Sequence, residues 1–184
     1  MRLLGAGGVV VAGAVLVLTG CQGDPAPSPP PTPSASSAAP SASPSPVAPT
    51  LPAAARGTSP AAAKAFVRYY FATINYAALS GDVSGLRLQS EPGCKSCNAI
   101  IKNITKVYGA GGYIQSENWE VRSVIVLQHE KGREVLSVGL FLHREVTIDA
   151  LGKRKVGPSG RQPLTMRLHT LSHSFKVQGL EFVS

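Results

Sequence analysis

Cysteine is scarce in this 184-residue chain, with three residues at positions 21, 94 and 97. There is one Cys-x-x-Cys, no second, and no His-x-His, so a zinc site would lack two ligands. No metal and no other cofactor is expected. Acidic residues are also few, 10 against 18 lysines and arginines. After the first twenty residues no apolar run reaches the roughly 18 residues of a membrane span. No aromatic residues interleave the basic ones around Lys153-Arg154-Lys155 and Arg161, which argues against nucleic acid there. No catalytic motif stands out, so the sequence names no substrate.

What is present begins at the amino terminus. An apolar run from Leu3 to Leu18, preceded by Arg2, ends in small residues and then Cys21. Charged start, short apolar middle and small-residue cleavage site are the order of a secretory signal. The ending Leu18-Thr19-Gly20-Cys21 resembles the lipobox of bacterial lipoproteins. That resemblance implies cleavage before Cys21, a diacylglyceryl thioether on its sulfur, and a home on the extracytoplasmic face of the cell membrane. Dual-chain anchoring is stable where one acyl chain would be marginal.

Three stretches follow from composition. Residues 1–20 are the signal peptide. From Cys21 to residue 58 the chain is almost wholly Ala, Pro, Ser and Thr, with Asp24 and Arg56 its only charges. So little large apolar surface cannot offset chain entropy, and a disordered, partly polyproline tether is expected. Fully extended, it reaches on the order of 100 Å. Residues 59–184 mix β-branched, aromatic and charged residues in about one domain's worth of chain. Their balance is sixteen Lys or Arg against nine Asp or Glu. A solubility surface explains that charge, and an anionic partner such as a wall polymer or lipid headgroup is the alternative.

Ser59-Pro60 reads as a helix start, a capping hydroxyl followed by proline at the first helical position. Ala63, Phe66, Val67, Tyr70, Phe71, Ile74, Ala77 and Ala78 then recur at three- and four-residue spacing, one broad apolar face. Ser80-Gly81-Asp82 ends this helix, and Asp82 can cap a short turn running through Leu88. A third helix spans about Lys95 to Tyr108, with Ile100, Ile101, Ile104, Val107 and Tyr108 buried. The glycines from Gly109 stop it.

The period then changes to two. Four strands are expected, roughly Tyr113–Gln128, Glu134–Asp149, Leu164–Leu171 and Ser174–Val183. A Lys131-Gly132 turn pairs Glu130 with Arg133, and counting back pairs Leu127 with Leu136, Ile125 with Val138 and Val121 with Leu142. The fold class is α+β: three N-terminal helices packed on one face of a curved four-stranded antiparallel sheet.

The run Ala65-Phe66-Val67-Arg68-Tyr69-Tyr70, then Asn75-Tyr76-Ala77, Gly81-Asp82, Gly93-Cys94-Lys95-Ser96-Cys97, and Tyr108 with Gly111-Gly112 resembles a family of uncharacterised actinobacterial lipoproteins, a domain of unknown function. The resemblance covers about Pro60 to Trp119 and implies location and fold but no activity. The helix-then-sheet order is similar to the nuclear-transport-factor-2-like cone. Cones of that kind include isomerases, dehydratases and non-catalytic binding domains.

Cys94 and Cys97 are the thiols left once Cys21 is lipidated, and an even pair outside the cytoplasm should be oxidised. A staple that fixes the Pro92-Gly93 turn against the third helix is the expected role. A redox centre is the alternative, because a helix start favours thiolate. His143, Glu145, Glu120, Arg122, Arg167 and His169 form a second group, expected on the less apolar face of the sheet as cross-strand ion pairs. A histidine beside a carboxylate there could also move protons. Tyr70, Asn75 and Ser123 are the polar candidates for an inner pocket. Asp149 reads as a turn residue. Lys153, Arg154, Lys155 and Arg161 make a basic tip among Gly152, Gly157, Pro158 and Gly160, expected to be a mobile loop and a candidate contact for an anionic surface.

The reading that results is a lipid-anchored envelope lipoprotein whose domain binds a ligand or partner without catalysis. An anionic wall polymer or an envelope protein is the partner class. The alternative is a cone-fold enzyme of isomerase or dehydratase type acting on a small apolar molecule. One architecture hosts many functions, so the choice belongs to the site.

Overall fold

The computed structural model describes residues 45–183. The signal peptide, Cys21 and most of the tether lie outside the described residues. The central element is α1 (Pro60–Ser80). Ser59 Oγ accepts from the Ala62 N–H at 3.2 Å and Pro60 opens the first turn, as the sequence implies. The helix stops at Gly81, whose φ of 78° lets its N–H reach the Ala77 carbonyl at 2.9 Å. A Cβ at Gly81 would lie 2.6 Å from the Tyr108 ring. Glycine is therefore needed both for the left-handed turn and for the approach of that rigid ring.

All eight apolar positions expected on α1 are buried. So broad a face is needed because α1 is covered from several sides, by strands, by a second helix and by the chain before it. That preceding chain corrects the expected boundary at residue 58. Ala53–Ala55 form a single 3-10 turn, Ala55 is buried, and Leu51 packs on the core. The Gly57 N–H then donates to the His173 carbonyl at 3.1 Å. The last residues assigned to the tether are part of the folded domain, because a Leu and a docked Ala suffice where the core already offers a surface.

Helix α2 (Ser84–Gln89) buries Leu86, and the Asp82 carboxylate accepts from the Ser84 N–H at 2.9 Å just before it. Helix α3 (Lys95–Gly109) buries Cys97, Ile101 and Ile104, while Ile100, Val107 and Tyr108 are half-buried. The Tyr108 hydroxyl donates to the Ala78 carbonyl at 2.8 Å, tying α3 to the end of α1. Cys94 and Cys97 are joined as a disulfide at the start of α3. Next to it the Ser96 Oγ accepts from the Leu180 N–H at 3.0 Å, fastening this helix start to the sheet.

The strands are β1 (Tyr113–Ser116), β2 (Trp119–Glu130), β3 (Arg133–Leu142), β4 (Glu145–Ile148), β5 (Arg154–Val156), β6 (Gly160–Thr170) and β7 (Phe175–Phe182). They form a four-stranded antiparallel sheet, β2-β3-β6-β7, and a three-stranded one, β1-β4-β5. Among the described residues seven strands stand where four were expected. The first two expected strands break at a common bend, at Glu117-Asn118 and at His143-Arg144, and the loop before the third contributes β5. Asn118 takes φ 74° there, and Glu117 N to Arg144 O at 3.0 Å carries pairing across the corner. The helices lie against the inner face, α1 on β1 and β2 and α3 on β7 and β1. The expected class, three helices followed by antiparallel sheet, is what the chain forms.

The hairpin turn pairs Glu130 with Arg133 as counted, but the register beyond it differs. Two bulges, at Leu127 and Arg122, each add one residue to β2. Val126 therefore faces Leu136, Val124 faces Val138 and Val121 faces Leu140. Ile125 and Leu127, expected in the core, are 58% and 56% exposed. Val124-Ile125-Val126-Leu127 is apolar at every position, so alternation cannot say which parity turns inward.

Candidate functional site

Between the second half of α1 and α3 lies a cleft of about 220 Å³. Ile74 and Ala78 of α1 and Ala99, Ile100 and Ile104 of α3 supply apolar walls. Ile114, Trp119 and Glu145 close it from the sheet, and Asn103 stands on its helix side. Ile100 packs against the edge of the core and also fronts this space, which leaves it half-buried.

Glu145 is the one ionisable residue among those lining the cleft. Burial pushes its carboxyl above the ordinary glutamate range, and a hydrogen bond from the Trp119 side chain partly offsets this. The Trp119 backbone is itself clamped by Asn75. The Asn75 Nδ2 donates to Trp119 O at 2.9 Å, and the Trp119 N–H donates to Asn75 Oδ1 at 2.8 Å. The amide of one α1 side chain thus stands in for a strand partner at the start of β2. Phe71 packs on the indole with ring centroids 6.4 Å apart. Chemically, the cleft can hold a small apolar body and offer it one carboxyl group.

The residues expected at an inner pocket do not come together. Tyr70 is sealed in the core, its hydroxyl 2.9 Å from Ser90 Oγ, and burial pushes its pKa up to about 12. Asn75 positions Trp119 without lining the cleft. Ser123 is turned to the outer face by the Leu127 bulge, opposite Gly139. The basic set is also divided. Arg154 and Lys155 belong to β5, paired with β4, rather than to a mobile tip. Asp149 makes their turn, accepting from the Leu151 and Lys153 N–H groups at 2.9 Å each. Arg161 sits on β6 opposite Phe141. Cys94 and Cys97 are buried, at 0% and 1% exposure, which leaves no sulfur presented for exchange.

The expected cross-strand group is redistributed as well. Glu120 does meet His143, at 3.2 Å, and Arg122, at 2.8 Å, on the outer face. His169 bonds Glu91 and Arg167 bonds Glu181, neither of which belongs to that group. Glu145 leaves the outer face altogether, because the bend at His143-Arg144 restarts the strand with its side chain inward.

Sequence reasoning also missed Glu134, which is fully buried. One of its oxygens bonds His129 Nδ1, and Oε2 has no partner among the described residues. The signal was available. Glu134 has the same parity as Leu136 and Val138, the residues placed on the inner face.

With this geometry in hand, comparison supplies the family. Residues 34–148, more than half of the chain, match the family of unknown function DUF6318. The chain belongs to DUF6318. No curated protein matches it. This DUF6318 member is similar to the intermembrane space region of the chloroplast protein ARC6, at 10% identity and a TM-score of 0.48, over 67% of this chain and 95% of that one. Aln2 from a Streptomyces species gives 15% identity and a TM-score of 0.45, over 68% and 92%. A Caulobacter vibrioides protein with a cystatin-like fold gives 11% identity and a TM-score of 0.43, over 67% and 88%. The DUF6318 match ends at Ile148, so the cleft falls within it while β5, β6 and β7 do not.

Proposed function

We propose that this chain is a lipid-anchored, non-enzymatic binding domain of the bacterial cell envelope, taking a small, mainly apolar molecule into the α1–α3 cleft. Cys21 carries the anchor, the Pro/Ala/Ser stretch after it is the tether, and the basic residues of β5 face an anionic wall polymer or an envelope protein. The single observation behind the binding reading is the cleft's make-up. Its walls are apolar, and one carboxyl, Glu145, stands among them beside Trp119. That combination orients a ligand through one polar contact while burial supplies the affinity.

The test is native mass spectrometry of the detergent-extracted protein beside an Ile100→Trp variant, in which the indole fills the cleft. A bound small molecule in the parent protein that is lost from the variant is expected. Each protein at the mass of its own chain, with no adduct on either, refutes the reading. For the anchor, Cys21→Ser should move the protein out of the detergent phase, and continued partitioning there would refute lipidation.

One observation favours the enzyme alternative. A carboxyl with a raised pKa beside an apolar space is suited to moving a proton, as an isomerase or dehydratase requires. The two readings part on Glu145→Gln. A binding site keeps most of its affinity for the co-purified molecule, whereas an enzyme keeps the molecule but stops converting it.

A further inference from the structure

A second concavity lies on the opposite side of the large sheet, independent of the cleft and of the reading built on it. Its volume is about 540 Å³. Gly139 and Pro163 face each other across β3 and β6. With no side chain at Gly139, the outer face has a bare patch of backbone between the Phe141 and Pro163 rings. The Ser123 hydroxyl reaches into that patch, so close that a Cβ at Gly139 would lie 2.5 Å from its oxygen.

Two guanidinium groups border the patch. Arg122, carried outward by its bulge, lies over the Phe141 ring at 5.4 Å and is paired with Glu120 at 2.8 Å. Arg161, directly across from Phe141, has no side-chain partner among the described residues. Charges on Arg122, Arg161 and Glu120 sum to a single positive charge beside a flat apolar floor. A guanidinium takes a carboxylate through two parallel hydrogen bonds. A phosphate monoester would bring roughly −1.5 to −2 charges, more than this site balances.

We propose that this outer hollow binds a flat apolar monoanion, an aromatic ring bearing one carboxylate. The ring lies on Gly139 and Pro163 beside Phe141, the carboxylate pairs with Arg161, and the Ser123 oxygen faces the positive C–H edge of the ring. The Leu127 bulge, which displaced Ile125 and Leu127 from the core, brings Ser123 to this hollow, and the Arg122 bulge brings Arg122.

The test is equilibrium dialysis of the detergent-solubilised full chain against 2-naphthoate, with the same micelles on both sides. Saturable one-site binding with a Kd below about 1 mM is expected. 2-Naphthamide, which keeps the ring and loses the charge, should bind at least about tenfold more weakly. Arg161→Gln should weaken naphthoate binding by a similar factor, and Gly139→Val, which fills the hollow, should abolish it with the fold checked by circular dichroism. A Lys64→Gln, Lys95→Gln, Lys102→Gln triple variant removes three exposed positive charges from the helices and should change Kd by less than about twofold. Equal binding of the amide, or a loss in the triple variant matching that of Arg161→Gln, overturns the proposal. So does the absence of saturable binding, including the case in which a second copy of the chain covers this face in solution.

Discussion

Glu134 and Glu145 both project from the sheet toward the helices, one at each end of α1. Glu134 shares its surroundings with Thr58, just before α1 begins, and Glu145 shares a cleft with Ile74 and Ala78 near its end. Their environments differ in access. Glu134 has no exposed surface and spends one oxygen on His129. Glu145 is half-buried and fronts open space. Burial of a carboxylate therefore does not make a site. Glu134 is locked into its own hairpin, while Glu145 keeps a face that a ligand can reach.

The strongest way to break that contrast is at His129. His129→Ala strands a buried carboxylate without its partner and should cost about 3 kcal/mol. Glu134→Met strands only a half-exposed imidazole and keeps the volume, so it should stay within about 1 kcal/mol of the parent protein. Urea denaturation of both variants measures this. Equal losses would mean that the pair is not a locked buried charge.

Glu145 should show a smaller effect that depends on pH. Burial raises its pKa in the folded state, so as pH rises the unfolded chain releases this proton first. The contribution to stability is full below about pH 4.3, the ordinary glutamate value, and is lost as pH rises through the folded-state value. Glu145→Gln should match the parent protein near about pH 4 and be more stable than it near about pH 8, by a fraction of the His129→Ala change. Thermal melts across that range check it. A variant less stable at high pH would place Glu145 in an unrecognised ion pair.

The smallest effect concerns Trp119. Its hydrogen bond holds the Glu145 pKa down, so Trp119→Phe should move the decline of stability to still higher pH. The same melts, compared by the position of the decline rather than by total stability, separate this shift from lost packing. An unmoved decline would show that the indole only fills space.

Much of the fold was legible because its signals are local. Ser59-Pro60 and Ser80-Gly81 bound α1 through capping and a left-handed turn, which need only neighbouring atoms. The spacing of Phe66, Tyr70 and Ile74 marks the buried face whatever covers it. The Cys94–Cys97 bridge needs only a three-residue reach, and Lys131-Gly132 needs only its own turn geometry. The candidate site was much less legible. Its carboxyl was assigned to the wrong face, and its expected residues Tyr70, Asn75 and Ser123 went to a core bond, a backbone clamp and the outer surface.

The sequence by itself determined that three helices precede the strands, the inward set on α1 and the turn at Asp149, since each follows from periodicity or a short-range hydrogen bond. Tertiary structure alone decided the two bulges and the shared bend at Asn118 and His143. Each of these shifts side-chain parity by an amount that a uniform alternating pattern cannot record. In Val124-Ile125-Val126-Leu127 either parity buries apolar residues, so only packing against α1 chooses. Past the bend, packing of the sheet against α1 and α3 turns Glu145 toward the helices, and no residue near it in sequence carries that instruction.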